Sequence, residues 1–86
     1  MSRLDARHTA DALPYAALAH EIEALLRDPG VVVPPRTVQA LAGGGSYFVM
    51  PAADARVAIT KLITFIPDNA TRGLSTIQGD IVVFDA

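Results

Sequence analysis

Eighty-six residues bound this chain to one domain at most, and a chain of that length buries only about 60–65% of the surface its unfolded form exposes. Hydrophobic residues make up 51% and charged residues 19%, against a charged share of about 25% in ordinary soluble domains, so part of the surface is expected to be covered by something else or to belong to a larger protein. A net charge of -2 with Arg3, Arg7, Arg27, Arg36, Arg56 and Arg72 scattered along the chain gives no basic stripe and argues against nucleic acid. The absence of cysteine excludes a disulfide framework and a thiolate metal site, and fits a reducing compartment. The N-terminus has no apolar leader core and no run approaches eighteen apolar residues, so the expectation is a cytoplasmic protein without membrane association.

In chain order the first element is an amphipathic helix. Tyr15, Leu18, Ala19, Ile22, Leu25 and Leu26 follow the i, i+3, i+4, i+7 spacing, and His20, Glu21, Glu23 and Arg27 fall outside that stripe. Pro14 suits the first turn, and Glu23 and Arg27 form an i, i+4 pair in the favourable order. Thr9 and Asp11 are candidates to start an earlier turn, and Asp28-Pro29-Gly30 ends the helix because a residue before proline avoids the α region. Four segments rich in Val, Ile, Thr, Phe and Tyr follow: Val31–Leu41, Ser46–Pro51, Val57–Ile66 and Thr76–Phe84. Their short connections predict antiparallel neighbours, since a parallel crossover needs a dozen or more residues. The fold class is therefore α+β, a helix followed by a mainly antiparallel sheet of about four strands. The last apolar strand stops at Asp85-Ala86 without a polar tail, which gives the end of the chain the look of a cut.

Lys61, the single lysine, breaks a pattern. Val57, Ile59, Lys61, Ile63 and Phe65 alternate along one predicted strand and share one face, which is expected to be buried. An ammonium among such side chains costs several kcal/mol unless an anion, a hydrogen-bond network or water meets it. It could also lie near a sheet edge and reach water along its four-carbon stem. Arg36, in Pro34-Pro35-Arg36, shares a strand face with Val32 and Val38 and breaks a second apolar pattern, although the prolines favour an edge position where it is simply solvated. Two cations facing one cavity call for an anion. A guanidinium grips a carboxylate through two parallel hydrogen bonds and a lysine adds a point charge, a combination suited to an α-carboxylate in a dry pocket. Thr76, at the start of the last strand, is the hydroxyl of the set.

Other motifs have ordinary readings. Gly43-Gly44-Gly45 lies between two strands and reads as a hairpin turn, not a phosphate cradle, and no GxGxxG occurs. His8 and His20 have no carboxylate at ligand spacing, so no metal site is expected. Ser46 and Ser75 have neither a strand-to-helix elbow nor a histidine partner for nucleophilic chemistry.

The succession Pro35-Arg36, Met50-Pro51-Ala52, Lys61, Pro67-Asp68-Asn69, Gly73-Leu74-Ser75-Thr76 and a strand ending in Phe84-Asp85-Ala86 resembles the N-terminal portion of the ornithine cyclodeaminase/mu-crystallin family, from about Leu13 onward. Ser75 departs from the proline expected in many relatives, which bears only on the local loop shape. The resemblance implies that residues 1–86 are a partial substrate-binding and dimerisation domain of a longer chain. It implies that Arg36 and Lys61 hold the carboxylate of an amino or imino acid, and that Thr76 lines the same pocket near a nicotinamide. NAD or NADP would then bind a Rossmann domain beyond Ala86, with no cofactor bound and no catalytic residue supplied by these 86 residues. The implied activity is ornithine cyclodeamination, L-ornithine to L-proline and ammonia. A ketimine reductase acting on Δ1-pyrroline-2-carboxylate or its six-membered homologue is the alternative within the family, and a non-catalytic binding or dimerisation module the alternative outside enzymes. A homodimer paired through the sheet is the implied assembly.

Overall fold

A computed structural model describes residues 3–86. Two helices come first. Asp5 caps α1 (Ala6–Ala12), accepting the backbone N–H of His8 at 2.9 Å while its carboxylate also lies 2.7 Å from His8 Nδ1. This helix was foreshadowed only as a possible earlier turn, because a cap and seven residues leave little periodicity to read. The amphipathic helix is α2 (Tyr15–Leu26), preceded by Pro14 and carrying the Arg27–Glu23 pair at 2.8 Å. Leu25 of α2 approaches Ala52, Val57 and Ile59 across an apolar groove.

Four strands follow: β1 (Thr37–Ala40), β2 (Ser46–Ala53), β3 (Val57–Phe65) and β4 (Ile77–Asp85). They form one antiparallel sheet in sequence order, β1-β2-β3-β4. The expected first strand, Val31–Leu41, is shorter than its composition suggested. Pro34 and Pro35 have no N–H to give a ladder, so only Val32 bridges to Ala53 before the chain settles into β1 at Thr37. Gly43 and Gly44 turn the β1–β2 hairpin at φ of +85° and +89°, where a side chain would be strained. Between β3 and β4, Pro67–Arg72 forms a 3-10 turn ended by Gly73 at φ +70°.

The sheet has a face that looks apolar and nothing on it that is buried. Alternation places Phe48, Met50, Ile59, Lys61, Ile63, Ile81 and Val83 on one side. Among the described residues no apolar side chain is buried, and Ile81, Val83 and Phe84 are 62%, 60% and 57% exposed. The accessible surface is 7053 Å², where a compact monomer of this mass shows about 4,900 Å². The radius of gyration is 15.4 Å, against about 12 Å for a compact domain of this length. The expectation that the Lys61 face is buried is therefore corrected: helices this short screen little of a four-stranded sheet, and Lys61 itself is exposed.

Two outcomes follow from this architecture. β4 is a nine-residue edge strand with apolar side chains and, among the described residues, no partner on its outer side, and such edges recruit strands. The isolated chain should scatter light as a dimer or larger, and lysine at Ile81 and Val83 should shift it toward monomer. A parent chain that stays monomeric at high concentration, with cooperative unfolding, would contradict this. The β2–β3 turn supplies the second. Asp54 Oδ1 accepts the N–H groups of Arg56 at 2.7 Å and Val57 at 2.9 Å, and these backbone hydrogen bonds hold its carboxyl below the usual carboxylate value of 3.8. A lowered folded pKa adds stability that is present above the unfolded value and is lost as pH falls through the folded one. Denaturant titrations at stepped pH should therefore show stability lost below about pH 4, and Asp54→Asn should flatten part of that slope. An identical slope in the variant would rule Asp54 out as the cause.

Candidate functional site: a cationic row on an open sheet face

The ladder decides which side chains meet. Met50 stands opposite Lys61, and Lys61 stands opposite Ile81. Thr37 is opposite Val49 and Val38 opposite Phe48, so Arg36, one residue before β1, comes next in line beside Met50. Met50, Lys61 and Ile81 thus form one row across the sheet, on one face, because directly opposed residues of an antiparallel pair project to the same side, and continuing the β1–β2 register by one residue would bring Arg36 to the Met50 end of that row. One strand separates the two cations, which puts their backbones about 10 Å apart. Both side chains are long enough to lean over Met50 toward a shared anion.

Local packing fixes one end of this row. The Arg36 guanidinium carbon lies 5.6 Å from the centroid of the Phe48 ring, a cation–π contact that aims an exposed arginine along the face rather than into solvent. Phe48 is two residues from Met50 and hence on the same side. Among the described residues neither Arg36 nor Lys61 has an ion-pair partner, the three pairs present being Asp5–His8, Glu23–Arg27 and Asp54–Arg56. Along β4 the nearest carboxylate to Lys61 in sequence register, Asp80, has opposite parity from Ile81 and projects from the other face. Asp85 shares the Lys61 face but pairs with Val57 at the far end of the strand.

Thr76 is elsewhere. Its carbonyl accepts the N–H of Ile66 at 2.8 Å, closing the β3–β4 ladder just before β4 begins. It is five residues before Ile81, about 16 Å along the strand from the cationic row. The structure thus sets Arg36 and Lys61 on either side of Met50 and leaves Thr76 just ahead of β4, away from that row. The enclosed cavity expected between the cations is an open face in this chain, since both are exposed.

Phe48 is not among the residues the sequence singles out, and Met50 stands there only as part of Met50-Pro51-Ala52. Their signal was present, since the hairpin glycines set the β1–β2 register that brings Phe48 beside Arg36. The glycine-rich run itself joins two strands, and Gly45 is pressed so close to β3 that a Cβ would lie 2.9 Å from the Phe65 carbonyl oxygen. It is a packing turn without a helix N-terminus behind it, and a dinucleotide pyrophosphate has no fit there. Among the described residues no three His, Asp or Glu side chains come together as a metal site. Among the described residues no helix is long and apolar enough to cross a membrane.

No family model matches the chain. The chain is similar to Delta(1)-pyrroline-2-carboxylate reductase 1 of Burkholderia multivorans, at 39% identity over 85 residues. It is similar to Delta(1)-pyrroline-2-carboxylate reductase 2 of Burkholderia ambifaria at 38%, and to the Delta(1)-pyrroline-2-carboxylate/Delta(1)-piperideine-2-carboxylate reductase of Azospirillum brasilense at 36%. Each alignment takes in 95% of this chain and 27% of the relative, so the chain spans about a quarter of the length of the curated relatives it matches. These reductases are members of the ornithine cyclodeaminase/mu-crystallin family, and over the matched residues this chain belongs to that family.

Proposed function

We propose that this chain is the carboxylate-binding part of a reductase for cyclic α-imino acids of the Δ1-pyrroline-2-carboxylate type, and that Arg36 and Lys61 hold the carboxylate. The observation that carries the reading is the row itself: two unpaired cations in line on one sheet face, with Phe48, Met50 and Ile81 beside them. Arg36 would take both carboxylate oxygens through its planar fork, and Lys61 would add a point charge from the opposite side of Met50. The thioether of Met50 and the ring of Phe48 offer an apolar floor to the methylenes of a five- or six-membered ring. A carboxylate fixed in this way sets the direction of the adjacent imine carbon, and orientation of that kind can lower a barrier by several kcal/mol. Covering the face with other protein would dry the site and strengthen both charge contacts.

The relatives favour this reductive reading over the deaminating cyclisation expected first from the sequence, since each is named for reduction of a cyclic imine. NADH or NADPH, which the family resemblance implies as hydride donor, would be held by a part of the enzyme outside this chain. Thr76, at its distance along the sheet, would meet a different portion of the bound molecules from the carboxylate. The unpaired β4 edge supports a second copy of the chain as partner, and the exposed apolar face supports a further covering domain.

In the enzyme that contains this chain, Lys61→Met keeps aliphatic bulk and removes the charge. It should lower kcat/KM for Δ1-pyrroline-2-carboxylate by on the order of 2–5 kcal/mol. The melting temperature without substrate should stay the same or rise, because an exposed lysine surrounded by apolar side chains contributes little. Arg36→Lys should also lose activity, since an ammonium cannot reproduce the two-pronged grip. Near-normal kcat/KM in Lys61→Met would remove these residues from the site.

A further inference from the structure

Asn69 is the one polar residue buried as a whole among the described residues, 3% exposed in an otherwise open molecule. All of its hydrogen-bonding groups are committed within one loop. Its N–H donates to the Ile66 carbonyl at 3.1 Å and its own carbonyl accepts from Leu74 N–H at 2.9 Å. Its side-chain Nδ2 donates to the Ser75 carbonyl at 3.0 Å, and its Oδ1 accepts from Arg72 Nη2. These bonds tie the last residue before the 3-10 turn to the residue before Thr76, and so set how many residues the β3–β4 loop contains before Ile66 pairs with Thr76.

That count matters because the apolar pattern of β4 specifies its register only in part. Hydrophobic patterning specifies a strand only when one face is apolar and the other polar. In the second half of β4, Ile81 and Val83 occupy one face and Val82 and Phe84 the other, so there a one-residue slip exchanges one apolar pair for another, while in the first half Gly79, where a Cβ would lie 2.7 Å from the Leu62 carbonyl oxygen, resists a slip that brings Gln78 into its place. The slip that takes one residue from the loop would move Asp80 from its place opposite Leu62 to a place opposite Lys61, where opposite charges attract across the strands. An ammonium paired with Asp80 is lost to a ligand carboxylate.

We propose that Asn69 is a positioning residue that locks the β3–β4 register, keeping Ile81 opposite Lys61 and the Asp80 carboxylate on the other face, so that Lys61 stays free for the ligand. The proposal rests on the reading of Lys61 as a carboxylate holder, but register can be measured without any ligand. These 86 residues hold no cysteine, so in the enzyme that contains them a pair introduced at Thr60 and Val82, opposed in the present register, forms the only disulfide available within this sheet. A pair at Thr60 and Ile81 reports the slipped register, because in the present one those side chains leave opposite faces. With Asn69 in place, oxidised glutathione should close the Thr60→Cys/Val82→Cys pair within one chain and leave the Thr60→Cys/Ile81→Cys pair open. With Asn69→Ala, the Thr60→Cys/Ile81→Cys pair should change from undetectable to clearly detectable, at the expense of the other. Asn69→Asp, which keeps size and the acceptor for Arg72 but cannot donate to Ser75 when ionised, should move in the same direction. The proposal is overturned if the Thr60→Cys/Ile81→Cys pair stays open in both variants. Collapse of the sheet in both also overturns it, since Asn69 would then hold the fold rather than choose its register.

Discussion

The interaction on which the rest depends is the antiparallel ladder between β3 and its two neighbours. It sets Lys61 between Met50 and Ile81, carries Arg36 into the same row through β2, and sends Asp80 to the opposite side. None of these placements comes from a direct contact between the charged groups. They follow from the period of two in a pleated strand combined with a fixed register, so a displacement of one residue would invert which groups face each other. The chemistry proposed for the chain is a consequence of backbone pairing.

A sheet of this kind cannot be stabilised by its own interior. No apolar side chain among the described residues is buried, and the two helices leave most of the face uncovered. Conformational entropy opposes ordering at every residue, and hydrogen-bonded ladders offset only part of it. Cover from a second copy or from further protein would supply the missing hydrophobic term and would also dry the cationic row, raising the strength of its grip on an anion. Stability and binding would then share one cause.

What the sequence made legible was whatever period and punctuation encode. The helix stripe from Tyr15 to Leu26, the antiparallel order and the strand around Lys61 could be read because apolar spacing changes from 3.6 to 2 across Asp28-Pro29-Gly30. The pairing of Arg36 with Phe48 was out of reach without a register, since it joins residues on different strands. Burial of the Lys61 face was overread: alternation shows which face is apolar, not whether this chain supplies its cover. The run from Val31 to Leu41 looked like one strand because propensity was weighed above the missing donors of Pro34 and Pro35. Asn69 was visible only as part of a turn, because a buried side-chain clamp leaves no periodic trace. The family resemblance pointed to Arg36 and Lys61 together, and the proposed site is built on that pair.

The central claim is that a ligand carboxylate sits over Met50, between Arg36 and Lys61. The methyl group of Met50 is a reporter placed between the two cations, and its methyl resonance can be followed by NMR in the methionine-labelled protein while a planar five-membered ring acid is added. Pyrrole-2-carboxylate should shift that methyl in a saturable manner, and pyrrole-2-carboxamide, which has the same shape without the charge, should not. A Met50 signal that ignores the acid, or that answers acid and amide alike, would contradict the account.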